Sequence, residues 1–271
     1  MNAPATIVIT PYLNSRAFVH HGPPPGCRLR ALAPRDAGPA ILRGEVLAGL
    51  VPVGGLADLG SQVELLGEYG IACPGPSRSV LFCSRVPFAE IDATTTVRLS
   101  ADSMSSVRLL YLLLTYRGGS LPRFVSDAGD VDGELVIGDA ALRMAGDARY
   151  PHRVDLAEGW QARHGLPMVF ARWVIDRRAT RAQRAQLAWW LRAYAAHAPA
   201  LLDRAAAECH AAVGLSVSDA RDYLDGIRTS LRGEDLAGQA RYLAELSRLD
   251  LPPWLASSPR VTRDFVGGRD R

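Results

Sequence analysis

TIVITPYLNSRAFV, Thr6 to Val19, opens as a buried strand and then changes character. The apolar run stops at Thr10, and Pro11, Tyr12, Leu13, Asn14, Ser15 and Arg16 follow at once. In an open α/β sheet, the carboxyl end of a strand is where the chain hands over to a helix and where ligands bind. The stretch therefore predicts an α/β fold with an amide, a hydroxyl and a guanidinium gathered at one such corner.

Outward from this corner the same alternation of short apolar runs and helical patterns continues, which predicts α/β architecture with a mostly parallel sheet. After the loop GPPPG, CRLRALA alternates like an exposed strand, and PRDAGPAILRGEV reads as a short helix stopped at Gly44. LAGLVPVGGLADL is a strand, a Pro/Gly turn and a short helix. VELLGEYGIACPGPSRSVLFCSR reads as two strands around the turn PGPS. TTVRLSADSMSSVRLLYLLLTYRGG repeats the theme of strand, Ser-rich loop and amphipathic helix, the helix running from about Ser105 to Tyr116 and ended by Gly118 and Gly119. GELVIGDAALRMA is a strand with Gly138 and Asp139 at its carboxyl end, and LPMVFARWVI is a strand of nearly continuous apolar character.

Beyond it the C-terminal third reads as all helix, with Ser218 or Asp219 as an N-cap, a break at Gly233 and a frayed tail, SSPRVTRDFVGGRDR. The two strand–helix groups, before and after about Ser84, suggest two lobes. The expected division is 1–85 plus 176–271 for lobe 1 and 86–175 for lobe 2. Two crossings between lobes make a hinge, and a hinge makes a closable cleft.

Composition narrows the function classes. The 271 residues are 48% hydrophobic and 22% charged, as in soluble globular proteins. The 31 basic residues are scattered among 28 acidic ones, which argues against nucleic acid as a partner. All the basic residues are Arg, so no lysine Schiff base is available. MNAPATIVITPY lacks the regions of a secretory signal, and no run approaches the length of a membrane span. Cys27, Cys73, Cys83 and Cys209 show neither C-x-x-C pairing nor a spacing with histidines that would hold zinc, as expected of a reduced cytosolic protein with no metal.

Four polar clusters fall at strand ends: Asn14-Ser15-Arg16, Ser77-Arg78-Ser79, Ser103-Met104-Ser105-Ser106 and Gly138-Asp139. Three of them precede or begin a helix, where free N–H groups and the positive dipole end favour an anion. Such a site suits a small ligand with two carboxylate or phosphate groups. Taken singly, each cluster is also what an N-cap or turn looks like. Arg16 and Arg78 equally suit ion pairs, and Asp139 suits the cap of its own helix. No Walker loop, G-x-G-x-x-G or Ser-His-Asp set is visible, so cofactor-dependent chemistry gets no support. Trp189-Trp190 reads as one ring in the helical core and one at an interface.

The segments PYLNSRAF, GEVLAGLVPVGGL, IACPGPSRSVLFCS, LSADSMSSVRLLYLLL, VIGDAALR and DLAEGWQARHGLPMVFARWV, in this order and spacing, resemble the chorismate dehydratases of the futalosine route to menaquinone. YLDGIRTSLRGEDLAGQARYLAEL resembles that family's last helices. The resemblance implies a type II periplasmic-binding-protein fold used as a cytoplasmic, cofactor-independent enzyme. It would turn chorismate into 3-(1-carboxyvinyloxy)benzoate and water. It implies Asn14 as the catalytic position, and Ser79 is expected to assist it. Ser15, Arg16, Ser77, Arg78, Ser103, Met104, Ser105, Ser106, Gly138 and Asp139 would bind substrate. The family often carries Arg where Met104 stands, so anion binding here would shift onto hydroxyls and backbone N–H groups. The base stays open between Asp139, a bound water and a carboxylate of the substrate. The expected partner is the small-molecule substrate, with neither nucleic acid nor membrane, and a homodimer is compatible with all of this. Two other functions share the fold: a 1,4-dihydroxy-6-naphthoate synthase of the same route, and a protein that only binds a small anion.

Overall fold

Ala5–Ile9 forms β1, β-branched at its centre and buried from Thr6 onward. Continuous burial of this kind marks a strand covered on both faces. A 3₁₀ turn at Leu13–Ser15 leads into α1 (Arg16–His21), followed by the edge strand β2 (Cys27–Ala31), α2 (Pro34–Leu42) and β3 (Ala48–Pro52). A second 3₁₀ turn, Val53–Gly55, leads into the short α3 (Leu56–Leu59) and the long strand β4 (Val63–Cys73). Then come β5 (Val80–Ser84), β6 (Thr96–Arg98), α4 (Ser105–Arg117), β7 (Arg123–Val125), β8 (Gly133–Ile137), α5 (Gly138–Arg143), β9 (His152–Asp155) and α6 (Leu156–His164). The chain returns through β10 (Met168–Asp176) and closes with α7 (Arg181–Cys209), α8 (Val217–Asp225), β11 (Arg228–Ser230), α9 (Gly233–Ser247) and α10 (Pro253–Ala256). This computed structural model describes residues 3–126 and 129–256; the tail expected at SSPRVTRDFVGGRDR lies outside the described residues.

The strands form two sheets, ordered β11-β4-β10-β3-β1-β2 and β7-β6-β8-β5-β9. In the first, β1 lies parallel between β2 and β3; in the second, β6 lies parallel between β7 and β8. Next to each trio comes an antiparallel strand, β10 in one sheet and β5 in the other, and then a further strand, β4 with β11 beyond it in the first sheet and β9 at the edge of the second. Both lobes are thus built on one plan. Each trio has its first strand in the middle, and the crevice beside such a reversal of strand order is a favoured ligand position.

Several expectations change here. The sheets are mixed rather than mostly parallel, because β5 and β10 are entered straight from the crossings and so run against their neighbours. The lobe boundaries also move. β5 belongs with β8 and β9, and β10 with β3 and β4, so the sheets change over at 74–79 and 165–167 instead of at 85/86 and 175/176. The two strands around PGPS are accordingly no hairpin. In the C-terminal third, Arg228–Ser230 adds a strand beside β4, too short to show alternation in sequence. The N-cap of α8 is Ser216, whose hydroxyl accepts the Asp219 N–H, rather than Ser218 or Asp219.

The first lobe's core is an aromatic cluster in which Phe18 stacks on Tyr194 at 3.9 Å between centroids and meets Trp173 edge-on at 5.2 Å. Trp190 is buried here and its Nε1–H donates to the Gly22 carbonyl, whereas Trp189 is exposed. A second core crosses the lobes. The α4 leucines and Trp160 of α6 pack with Tyr242 of α9, the two aromatic rings edge to face. Burying these side chains contributes about 1.5–3 kcal/mol for each large apolar group, so the lobes share a substantial part of their stability. Among the described residues no helix is long and apolar enough to cross a membrane.

Candidate functional site

Between the sheets, at the carboxyl ends of β1, β3 and β8, lies a cavity of about 620 Å³ including its mouth. Its apolar wall includes Leu50, Ile71, Val80, Ile137 and Phe170. Its polar lining is Thr10, Tyr12, Asn14, Ser77, Ser79, Ser103, Ser105 and Ser106, with Gly138 alongside. All four sequence clusters therefore contribute to one cavity. Among the described residues no lining side chain carries a charge at neutral pH.

Asn14 is the middle residue of the turn Leu13–Ser15. Its Oδ1 lies 3.0 Å from the Thr10 hydroxyl and 3.3 Å from the Ser15 hydroxyl; those two hydroxyls bond each other at 2.7 Å, and the proton left to the pair donates to Oδ1. With its oxygen held from behind, the amide has its Nδ2 donors left for the cavity. The turn is fixed from the other lobe, because the Leu13 N–H donates to Asp139 Oδ1 at 2.7 Å. Asp139 therefore does not cap α5, and its side chain does not line the cavity.

The loop Ser77–Ser79 puts two serines to different uses. The Ser77 hydroxyl donates to the Asp155 carboxylate, at 3.0 Å to Oδ2, and accepts the Val80 N–H. The same carboxylate takes the Arg78 N–H and caps α6. Ser77 thus secures the loop. Ser79 is buried, and its Oγ accepts from the Tyr223 hydroxyl at 3.0 Å. That leaves the Ser79 proton to donate elsewhere. Burial pushes the Tyr223 phenol well above its usual range, so it stays a donor.

The third cluster also divides. The Ser103 hydroxyl accepts the Ser106 N–H, as an N-cap does. The Ser105 hydroxyl accepts the Gly54 N–H at 3.0 Å and donates to the Phe170 carbonyl at 2.9 Å, tying α4 to the first lobe. Phe170 sits at an irregularity in the β4–β10 register, which turns its carbonyl out of the ladder. The Ser106 hydroxyl has no hydrogen-bond partner among the described residues and lines the cavity at the N-terminus of the 13-residue α4. Gly138 at the fourth cluster has φ +62°, and a Cβ there would lie 2.5 Å from the Tyr12 ring. Its glycine lets Tyr12 pack flat against the start of α5. Burial, with the Asp102 and Asp139 carboxylates nearby, pushes the Tyr12 phenol well above its usual range, and among the described residues its buried Oη makes no hydrogen bond of good geometry.

Arg16 and Arg78 do not join this group. Arg16 is exposed on α1, and Arg78, at φ +58°, is exposed on its loop, with its backbone N–H donating to Asp155. Neither guanidinium lines the cavity, because the strained turn at Arg78 buries its neighbours Ser77 and Ser79 and sends the long side chain outward. Ser15 lies wholly buried behind Asn14. Sequence reading missed Thr10, Tyr12 and Tyr223. Thr10 had a signal, a hydroxyl four residues before Asn14 at the strand end; Tyr223 had none, since its position in α8 reads as ordinary core.

The lobes are drawn together over the cavity. Buried Arg108 of α4 donates to the carbonyls of Gly54 and Leu255 and pairs with Asp58 at 3.3 Å. The Tyr242 hydroxyl donates to the Ser105 carbonyl at 2.9 Å.

The fold is shared with solved structures at low identity. A structural-genomics protein of Archaeoglobus fulgidus matches with TM-score 0.66 and 13% identity over 89% of this chain and 96% of that one. The alkanesulfonate-binding protein SsuA from Xanthomonas axonopodis pv. citri, bound to MOPS, matches with TM-score 0.61 and 16% identity over 90% of this chain and 93% of that one. A Candida albicans protein described as having the generic periplasmic binding protein fold matches with TM-score 0.51 and 9% identity over 93% of this chain and 92% of that one. These likenesses establish the two-lobed periplasmic-binding-protein-like fold. A family profile described as menaquinone biosynthesis matches residues 5–248, nearly the whole chain, and the protein therefore belongs to that family.

Proposed function

We propose that the protein is a chorismate dehydratase, a cofactor-independent hydro-lyase that forms 3-(1-carboxyvinyloxy)benzoate and water for menaquinone synthesis. One observation carries the reading: Asn14, at the corner of the ordered motifs, has its oxygen fixed by Thr10 and Ser15 and its amide donors left for the cavity between the lobes. The reaction removes a ring proton and the ring hydroxyl, which leave together as water while the ring becomes aromatic. No electrons are exchanged with another molecule. The enzyme's share is orientation and stabilisation of developing charge.

Chorismate is a dianion, and the cavity offers it uncharged donors: the Asn14 amide, the hydroxyls of Tyr12, Ser79 and Ser106, and the N-terminus of α4. Asn14 donates to the departing hydroxyl or to the enolate-like carboxylate, and Ser79 assists. A neutral amide is no base, and Asp139 is engaged with Leu13 outside the lining. The proton acceptor is then a carboxylate of the substrate or a water it holds. Closure of the lobes keeps bulk water from the reacting ring. The reading places the protein in the cytoplasm.

The test is direct. Chorismate is incubated with the protein and the aromatic product followed by ultraviolet absorbance. Asn14→Ala should lose roughly 100-fold in kcat, the scale of one charge-stabilising donor. Near-normal turnover by both Asn14→Ala and Asn14→Asp would remove Asn14 from the mechanism. A wild-type protein inert toward chorismate but active on a cyclised futalosine product would be the naphthoate synthase instead. One that binds small anions and transforms neither substrate would be a binding protein.

A further inference from the structure

Beside the central cavity lies a second void of about 470 Å³, lined among others by Arg35, Leu42, Leu59 and Asp58. Two residues, Pro52 and Met104, line both spaces. The spaces differ in chemistry: the central one has no charged residue among its described lining, whereas the side void counts Arg35, which donates to the Ala101 carbonyl, and Asp58, which pairs with Arg108, among its lining residues.

Met104 is the residue before α4, and its thioether rests on Gly55, where an added Cβ would lie 2.4 Å from Sδ. Gly55 has φ −95°, which any residue adopts, so the backbone does not require glycine there. What the missing side chain leaves is room for Met104 to lie in the wall. Methionine is unbranched and adapts its shape, which suits a partition.

We propose that Met104 is a specificity-determining partition that limits ligand length by closing the neutral cavity off from the ion-lined side void. The inference rests on the central cavity being the ligand site, though not on chorismate being the ligand. Shortening Met104 joins the spaces and lets a longer dicarboxylate place its far end beside Arg35. A side chain on Gly55 would push Met104 inward and shrink the central cavity.

The experiment compares calorimetric affinities for isophthalate and for the longer 3-(4-carboxybutoxy)benzoate. Met104→Ala should shift the ratio toward the longer ligand by roughly tenfold, about what burying two more methylene groups supplies. Met104→Leu should return the ratio toward wild type, Leu42→Ala, which widens only the side void, should leave it unchanged, and Gly55→Ala should weaken both ligands. A Met104→Ala ratio within twofold of wild type overturns the proposal, as does binding of neither ligand by any of these proteins. A shifted ratio in a protein that never dehydrates chorismate sinks the dehydratase reading and leaves the partition standing. Turnover of chorismate with an unshifted ratio does the reverse.

Discussion

Asn14 depends on the groups behind it, and Ser79 has the same dependence on Tyr223. The Tyr223 hydroxyl is buried, keeps its proton and donates to Ser79 Oγ, so the serine's own proton is turned toward the cavity. Tyr223→Phe removes that one oxygen and keeps the ring. It should lower kcat about tenfold, the cost of a hydrogen bond worth about 1.4 kcal/mol, with little change in KM or melting temperature. In a Ser79→Ala background the same change should add nothing further. An equal loss in both backgrounds would mean that Tyr223 acts on the fold and not through Ser79. Asn14 and Ser79 could be named from sequence because their motifs are local. Arg16 and Arg78 sit in the same motifs and point away, since which side a long side chain takes follows from the turn around it.

The Leu13–Ser15 turn gives the clearest case of one element set by another. It carries Asn14, and it hangs from α5 through the Leu13 N–H and Asp139. If Asp139 only positions the turn, Asp139→Asn keeps an oxygen acceptor and should retain most activity. Asp139→Ala should lose about tenfold or more in kcat, as misplaced catalytic groups do. Equal losses in the two variants would point instead to the carboxylate's charge, and so to Asp139 as the base. The start of α4 teaches a related lesson. Read along the chain, Ser103, Ser105 and Ser106 form one set of donors. In the fold all three line the cavity, but the Ser103 hydroxyl caps the helix and the Ser105 hydroxyl stitches the lobes together, so among the described residues the Ser106 hydroxyl is the one left without a partner.

The assembled lobes decide the electrostatics of the site. Together they frame a cavity in which, among the described residues, the titratable lining groups are Tyr12 and Cys73. Burial first, and neighbouring carboxylates second, raise both above their usual values, so both remain protonated at neutral pH. Substrate carboxylates, with pKa near 4, are already ionised there. Dehydration should therefore show kcat flat from pH 6 to pH 8. A limb near pH 6.5 would bring in a histidine, and with it a group outside the lining named above.

Strand and helix positions, the polar strand ends and the family's ordered motifs are properties of short segments, so hydrophobic period and turn chemistry suffice to read them. Which sheet β5 and β10 join is not such a property: both runs are apolar enough for either lobe, and only the crossing geometry selects one. The same holds for the contacts that arm the site. Leu13 meets Asp139 across 126 positions of sequence and Ser79 meets Tyr223 across 144. Pairings at that separation leave no periodic trace in the chain; they exist because the two lobes pack against each other on a shared core.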